Sequence, residues 1–231
     1  HCRVCDATAP ERVVHQQLST YAESNALLPP TQSGFRRLHS TETAVLKVYN
    51  DITLALDSGF ITALLLLDFS AAFDCVDHTI LLQILQSQFG IIDSALNWIA
   101  DFLTNRSHSV RLGQNTSNSY NILFGVPQGS ILGPLLFILY TSNITRIASR
   151  HGILIHLYAD DTQLYIKLST KDLGNAKLKL IECFNEIQSW CSSMRLKLNA
   201  NKTELIWFNR HPTPVLVQTH LCHFLLIPPA L

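Results

Sequence analysis

The chain has 231 residues, of which 47% are hydrophobic and 15% are charged. This composition excludes a disordered tail and provides the core of one large domain or two small ones. Seventeen Lys and Arg balance seventeen Asp and Glu, so the net charge argues mildly against nucleic-acid binding, and any basic groove must be local. No apolar run reaches the roughly 18 residues that cross a bilayer, and residues 1–10 contain no apolar signal region, so we expect no membrane span.

Hydrophobic periodicity, helix caps and turn residues divide the chain into helices and short strands. The predicted elements, in chain order, are a helix that follows cap candidates at residues 40–43 and ends near Gly59, a strand at 61–67, helices at 79–88 and 93–103, a strand pair at 109–113 and 120–124, a helix at 131–149, a hairpin of 153–158 with 163–168, a helix at 171–194, and a second hairpin of 196–198 with 204–208. Helices segregated from several short strands indicate an α+β fold with a mostly antiparallel sheet. Residues 211–231 contain four prolines and no period, so we expect a poorly docked tail.

Six cysteines are present, and Cys2 and Cys5 have the spacing of a zinc or redox site. No second pair follows at a finger-like distance. Scattered reduced thiols in an intracellular protein are therefore the favoured interpretation.

Carboxylates stand where buried strands end. Asp68 follows an apolar strand, and Asp160 with Asp161 forms the tip of a hairpin whose two arms are apolar. Adjacent strand residues point to opposite faces, so the two aspartates converge only if the turn redirects one of them. Three carboxylates near a core need a cation, and hard oxygen ligands select Mg²⁺ or Mn²⁺, of which two form the usual clamp for phosphoryl transfer. For any one site alone, a helix cap or a polar turn is the favoured interpretation, whereas the sites together favour the metal interpretation.

Five segments in a fixed order make the sequence recognisable. They are QSGFR with HSTET (residues 32–36 and 39–43), LLDFSAAFD (66–74), GVPQGSILGP (125–134), YADD (158–161) and LKLNANKTE (196–204). Together they resemble the successive motifs of reverse transcriptases from non-LTR (LINE-type) retrotransposons. The resemblance implies a right-hand polymerase palm, in which an antiparallel sheet is backed by helices, and an RNA-directed DNA polymerase activity. It implies an RNA template, a DNA primer and deoxynucleoside triphosphates as partners, and an intracellular location in the cytoplasm and nucleus.

The resemblance also assigns the catalytic residues. Asp68 and Asp160 are expected to hold two Mg²⁺ or Mn²⁺ ions, with Asp161 completing the site and the carbonyl of Phe69 adding an oxygen. The ions are expected to activate the primer 3′-hydroxyl and to stabilise charge on the transferred phosphate. Lys202 is expected near the pyrophosphate as a charge partner or proton donor, although an exposed lysine is the commoner role for such a residue.

Four further residues are assigned to substrate binding. Phe73 falls at the family's steric gate, where its ring would crowd a ribose 2′-hydroxyl, and it can be a core aromatic at the same time. Gln128 and Gly129 are expected to line the nucleotide and template pocket, where glycine allows close backbone approach; a helix-entry turn is the alternative. Arg36 is expected to contact template or phosphate, with a solvated surface position as the alternative.

The resemblance divides the chain into three parts. Residues 1–31 are expected to be partial fingers with an atypical start, residues 32–209 the fingers and palm, and residues 210–231 an atypical tail, so that the thumb is expected to be missing. Without complete fingers and thumb we expect very low primer extension by the isolated chain, because contacts to triphosphate and primer–template are lost throughout the reaction.

Two other functions are compatible with parts of this pattern. One is a catalytically inactive remnant of a degraded element, at most a weak nucleic-acid binder. The other is an RNA-templated RNA polymerase, against which Phe73 at the gate position and the Pro127-Gln128-Gly129 turn argue.

Overall fold

The computed structural model describes residues 9–104, 106–169, 172–209 and 215–218. Within them the helices are α1 (Ala9–Ser24), α2 (Thr41–Asp57), α3 (His78–Phe89), α4 (Asp93–Leu103), α5 (Leu132–Thr141), α6 (Ile144–Arg150) and α7 (Leu173–Ser193). The strands are β1 (Ile61–Leu67), β2 (Ser107–His108), β3 (Arg111–Leu112), β4 (Asn115–Thr116), β5 (Tyr120–Asn121), β6 (Leu154–Tyr158), β7 (Asp161–Leu168), β8 (Glu204–Phe208) and β9 (Val215–Gln218).

The chain forms two compact units, which are described separately. The helical unit contains the described residues within His1–Leu28 and Ala71–Ser142, and the sheet unit contains those within Pro29–Ser70 and Asn143–Leu231.

The helical unit is built around α5. Every residue of α5 except Pro134 is buried, and a helix that is apolar on all sides must be enclosed by other elements. It contacts α1, α3 and the short 3₁₀ helix Ala72–Cys75. Helix α3 begins where Asp77 accepts a hydrogen bond from the Ile80 amide, and it ends at Gly90, which has the left-handed φ of 66°.

The sheet unit contains one five-stranded antiparallel sheet in the order β6-β7-β1-β8-β9. The central strand β1 is buried along almost its whole length. Helix α2 covers one face, where Val48 and Ile52 pack against Leu64 and Tyr165. Helices α6 and α7 contact β6 and β7. The sheet therefore receives its hydrophobic cover from helices within its own unit.

Most predicted elements are confirmed, among them β1, α4 and the β6–β7 hairpin. The single helix at 131–149 is wrong, because α5 ends at Thr141 and α6 starts at Ile144. The Ser142 hydroxyl donates to the Leu139 carbonyl at this break, and such a side-chain bond competes with helical pairing.

Two predicted strand pairings are also wrong. Residues 196–198 do not form a hairpin with β8, because β8 pairs with β1 and β9. The central strand β1 has backbone amides and carbonyls to pair on both edges, and β8 pairs with one of these edges. Instead of one pair at 109–113 and 120–124, the structure has two short pairs, β2 with β5 and β3 with β4.

The predicted tail is described only at Val215–Gln218. These residues form β9, which pairs with β8 through Leu205 and Val217. Residues 210–214 and 219–231 lie outside the described residues, as do Cys2 and Cys5 with their possible metal spacing.

Three described cysteines, Cys75, Cys183 and Cys191, carry thiols that form no disulfide. Burial raises the pKa of Cys183 to about 12, with a smaller contribution from Glu186, and burial likewise raises the pKa of Cys191 to about 12. Both thiols are thus protonated at neutral pH and poorly reactive. No helix in the described part of the chain is long and apolar enough to cross a membrane.

The sheet core leads to a stability prediction. Leu65 is 0% exposed on β1 and Leu46 is 63% exposed on α2. We expect Leu65→Ala to lower the free energy of unfolding by about 2–5 kcal/mol, because it removes buried contacts and leaves a cavity. The matched Leu46→Ala change is expected to stay within about 0.5 kcal/mol of wild type. Urea unfolding measures both, and equal losses in the two variants would contradict the position of β1 in the core.

Candidate active site

Strand register brings the predicted catalytic carboxylates together. In the antiparallel pairing of β1 with β7, Leu67 lies opposite Thr162. Asp68 follows Leu67 and Asp161 precedes Thr162, so the two carboxylates lie at the same end of neighbouring strands. Asp160 occupies the turn between β6 and β7, where Tyr158 pairs with Asp161. The register therefore brings the tip of the β6–β7 hairpin to the end of β1.

The turn itself is a strained one. Ala159 has a φ of 57°, in the left-handed region that a residue with a Cβ rarely adopts. Only Ala159 and Asp160 separate the paired residues Tyr158 and Asp161. A two-residue connection of this kind is what redirects Asp160 away from the regular alternation of a strand.

A second backbone pairing brings Lys202 to the same place. The Ser70 amide donates to the Lys197 carbonyl at 2.8 Å, and the Asn199 amide donates to the Asp68 carbonyl at 2.8 Å. Asn199 then caps the short 3₁₀ helix Ala200–Lys202. As a result the Lys202 ammonium lies 3.7 Å from an Asp68 carboxylate oxygen.

The carboxylate charges at this site repel one another. Burial raises the pKa of the Asp161 carboxyl, the negative charges of Asp160 and Asp68 raise it further, and the Lys202 charge lowers it. Crowded acidic oxygens of this kind are the hard donors that Mg²⁺ and Mn²⁺ prefer. Among the residues that the structure describes, no three acidic, His or Cys side chains are close enough to hold one ion together. The three carboxylates thus have the donor chemistry that a divalent cation prefers, but their side chains do not converge on one point in this structure.

Two other predicted site residues lie in the sheet unit. Phe69 is buried, and its backbone forms a bridge with Leu198. The Arg36 guanidinium donates to the carbonyls of Pro29 at 2.9 Å and Gln32 at 3.1 Å. Arg36 therefore holds its own loop, a contact that the sequence did not predict.

Three predicted substrate-binding residues belong to the helical unit. The Phe73 ring stacks on Phe137 with 4.5 Å between centroids. The Gln128 amide nitrogen donates to both oxygens of Asp74 at 2.9 and 3.1 Å. Gly129 has a φ of 80°, which favours glycine at this turn.

The sequence matches a known protein family. A family model described as "Reverse transcriptase (RNA-dependent DNA polymerase)" matches residues 1–225. The chain belongs to the reverse transcriptase family. The match includes residues 1–31 and most of residues 210–231, which we expected to be atypical.

Curated relatives of this reverse transcriptase chain come from mobile elements of Drosophila melanogaster. It is 30% identical over 203 residues to "Probable RNA-directed DNA polymerase from transposon BS", covering 84% of the chain and 21% of the relative. It is 30% identical over 219 residues to the polymerase from "transposon X-element", covering 90% and 23%. For "RNA-directed DNA polymerase from mobile element jockey" the identity is 29% over 208 residues, covering 86% and 22%. The resemblance to LINE-type enzymes is confirmed, and the chain spans about a fifth of the length of these relatives.

Solved structures show the same fold at low sequence identity. Apo telomerase from Candida tropicalis, truncated from its C-terminal domain, aligns with a TM-score of 0.63 and 16% identity over 90% of this chain and 42% of that one. Telomerase from the same species in a complex with a fragment of telomeric RNA aligns with a TM-score of 0.64 and 13% identity, over 87% and 34%. The α+β palm fold predicted from the sequence is thus confirmed.

The structure also identifies a supporting residue that sequence reasoning did not assign to the site. The Glu11 carboxylate, only 5% exposed, accepts hydrogen bonds from the amides of Ile131 at 2.8 Å and Leu132 at 3.0 Å. These amides lie at the start of α5, shortly after the Gln128-Gly129 turn, where a helix has no carbonyl of its own to pair with them. An acidic residue alone on a distant helix gives no local signal of this capping role.

The carboxylate repulsion leads to a prediction about pH. Because the pKa of Asp161 is raised in the folded chain, its ionised form is less favourable there than in the unfolded chain. This cost is complete above the folded-state pKa and disappears below the ordinary value of 3.8. Without divalent cations, we expect Asp161→Asn to raise the Tm at pH 7 by about 2 °C or less, and the gain to vanish as the pH falls below that value.

Thermal unfolding at several pH values measures this effect. Glu182→Gln is the matched control, since Glu182 is an exposed acid on α7, and its removal is expected to change stability by less than about 0.5 kcal/mol. A lower Tm for Asp161→Asn than for wild type at pH 7 would show that repulsion does not dominate at this carboxyl.

Proposed function

We propose that this chain is the palm of an RNA-directed DNA polymerase of a LINE-type retrotransposon. It transfers a nucleotide from a deoxynucleoside triphosphate to a primer 3′-hydroxyl on an RNA template. The observation that carries the proposal is that Asp68, Asp160 and Asp161 lie at the same end of neighbouring strands, in a chain of the reverse transcriptase family. Family membership alone supports a cytoplasmic and nuclear place of action.

Two Mg²⁺ or Mn²⁺ ions are the proposed cofactors. Asp68 and Asp160 would hold both, Asp161 would complete the site, and the Phe69 carbonyl would add an oxygen. When bound, the ions supply activation of the 3′-hydroxyl and stabilisation of charge on the transferred phosphate and pyrophosphate. The raised pKa of Asp161 supports this, because mutual repulsion among carboxylates is relieved by a cation.

Lys202 brings a positive charge close to the carboxylates. Its 3.7 Å contact with Asp68 places an ammonium within reach of groups bound at the carboxylates. In the proposed reaction Lys202 neutralises the leaving pyrophosphate or donates a proton to it, which is general acid catalysis.

Residues of the helical unit are proposed to select the nucleotide. Phe73, held by its stacking on Phe137, would exclude a ribose 2′-hydroxyl by steric contact. Gln128, oriented by Asp74, and Gly129 would line the nucleotide and template pocket. Arg36 is proposed to contact template or phosphate in addition to the carbonyls that it already binds.

Primer extension on a poly(rA)–oligo(dT) hybrid tests the function. With Mg²⁺ or Mn²⁺ we expect slow incorporation of dTTP by the 231-residue chain. The Asp160→Asn Asp161→Asn form is expected to lose it by at least about 1,000-fold, since the amides cannot hold the ions that stabilise the transition state.

Ser33→Ala serves as the control, because it changes a buried residue of the same unit outside the proposed carboxylate site. Incorporation that persists in the double variant would contradict the proposed metal ligands. Absence of incorporation by every form would instead identify the chain as a catalytically inactive remnant, at most a weak nucleic-acid binder.

Phe73 leads to a separate prediction about sugar selection. Phe73→Val removes the ring proposed to crowd the 2′-hydroxyl, so discrimination between dTTP and UTP is expected to fall by about tenfold or more. The measurement is the ratio of the two kcat/KM values in primer extension. Phe137→Leu, which alters the ring behind Phe73 and leaves Phe73 in place, is the control expected to change this ratio less. An unchanged ratio in Phe73→Val would show that Phe73 does not act as the steric gate.

A further inference from the structure

Residues 29–34 run beside β6 and cover its outer edge. The Ser33 amide donates to the Leu157 carbonyl at 2.8 Å, and the Leu157 amide donates to the Thr31 carbonyl at 2.8 Å. Gln32 and Leu157 form a parallel bridge. We call residues 29–34 the strap. Since β6 leads directly into the turn that carries Asp160, the strap lies along one arm of the catalytic hairpin.

One side chain of the strap binds the turn itself. The Gln32 amide oxygen accepts hydrogen bonds from the Ala159 amide at 3.1 Å and the Gly34 amide at 2.7 Å. The Gln32 amide nitrogen donates to the Ala159 carbonyl at 3.3 Å. Both backbone polar groups of Ala159 are thus bound by one side chain that is only 1% exposed. Ala159 is also the residue with the left-handed φ of 57°, a conformation that persists only where its surroundings hold it.

Two neighbours keep Gln32 against the turn. A Cβ on Gly34 would lie 2.1 Å from the Ala159 nitrogen, so only glycine allows the strap to approach this closely. On its other side, Arg36 donates to the carbonyls of Pro29 and Gln32. The hydrogen bonds of Arg36 therefore hold the backbone of the strap, and those of Gln32 connect the strap to the turn.

We propose that Gln32 is a positioning residue for the catalytic carboxylates: it holds the Ala159–Asp160 turn and so fixes where Asp160 presents its oxygens to a divalent cation. The role of those oxygens rests on the proposed function. A planar neutral amide suits this task because it offers an acceptor and a donor together. Glutamate would lack the donor and add negative charge beside Asp160, and asparagine is one methylene shorter.

Amide hydrogen exchange at Ala159, followed by NMR on the full chain, tests the contact without requiring activity. In Gln32→Ala the Ala159 amide is expected to exchange about tenfold faster, because it loses its acceptor. Gly34→Ala is expected to have the same effect through displacement of the strap. Gln32→Glu keeps an acceptor and is expected to stay within about threefold of wild type.

Ser33→Ala is the matched control. It removes a hydrogen bond between Ser33 and His156 of 3.1 Å on the same strap and leaves the Ala159 contact in place. It is expected to leave Ala159 exchange unchanged relative to other protected amides of β6. Equal acceleration at Ala159 in Ser33→Ala and Gln32→Ala would reduce Gln32 to a general structural contact and overturn the proposal.

A Mn²⁺ titration of the same samples tests the consequence for the carboxylates. Paramagnetic broadening of the turn amides measures Mn²⁺ affinity, which is expected to weaken severalfold in Gln32→Ala and Gly34→Ala and to stay unchanged in Ser33→Ala. Faster Ala159 exchange with unchanged Mn²⁺ affinity would overturn the positioning role. If Mn²⁺ binds none of the forms, the proposed metal site fails, whereas the exchange rates at Ala159 still decide whether Gln32 holds the turn.

Discussion

Leu67 lies opposite Thr162 in the antiparallel ladder of β1 and β7, and the candidate site depends on this register. A slip of one residue would turn every apolar side chain of β1 to the opposite face. It would also separate Asp68 from Asp161, which the present register places at the same end of adjacent strands. Leu64 on one face of β1 and Leu65 on the other are both buried, and β1 is paired with β7 on one edge and with β8 on the other. The strand that forms the centre of the core is therefore also the strand whose end carries Asp68.

Two residues of the candidate site disfavour the folded state. Asp161 has a raised pKa because burial and two neighbouring carboxylates oppose its charge, and Ala159 holds a backbone conformation that disfavours a Cβ. Neither feature contributes to stability. The covered sheet beneath them and the side-chain amide of Gln32 offset these costs. Lys202 adds a charge of the opposite sign at 3.7 Å from Asp68.

In the helical unit, a comparable support surrounds the Gln128-Gly129 turn. The enclosed helix α5 starts directly after it, and the Glu11 carboxylate caps the first amides of that helix. Asp74 orients the Gln128 amide. Gly125 belongs to the same arrangement, because a Cβ there would lie 2.9 Å from the Asp74 Cα. The residues proposed to select nucleotide and template are therefore held by contacts within the recognised motifs and by Glu11, which lies outside them.

The sequence by itself determined what depends on near neighbours along the chain. The apolar run of β1, the helix at 93–103 and the YADD turn all follow from local spacing and backbone preference. Only the tertiary structure decided which distant segments meet. It paired β8 with β1 rather than with residues 196–198, brought Glu11 to the start of α5, and placed Gln32 on the Ala159 turn. The reason is that long-range pairing is selected by the burial of whole surfaces and the satisfaction of backbone groups, neither of which leaves a periodic signal in one sequence.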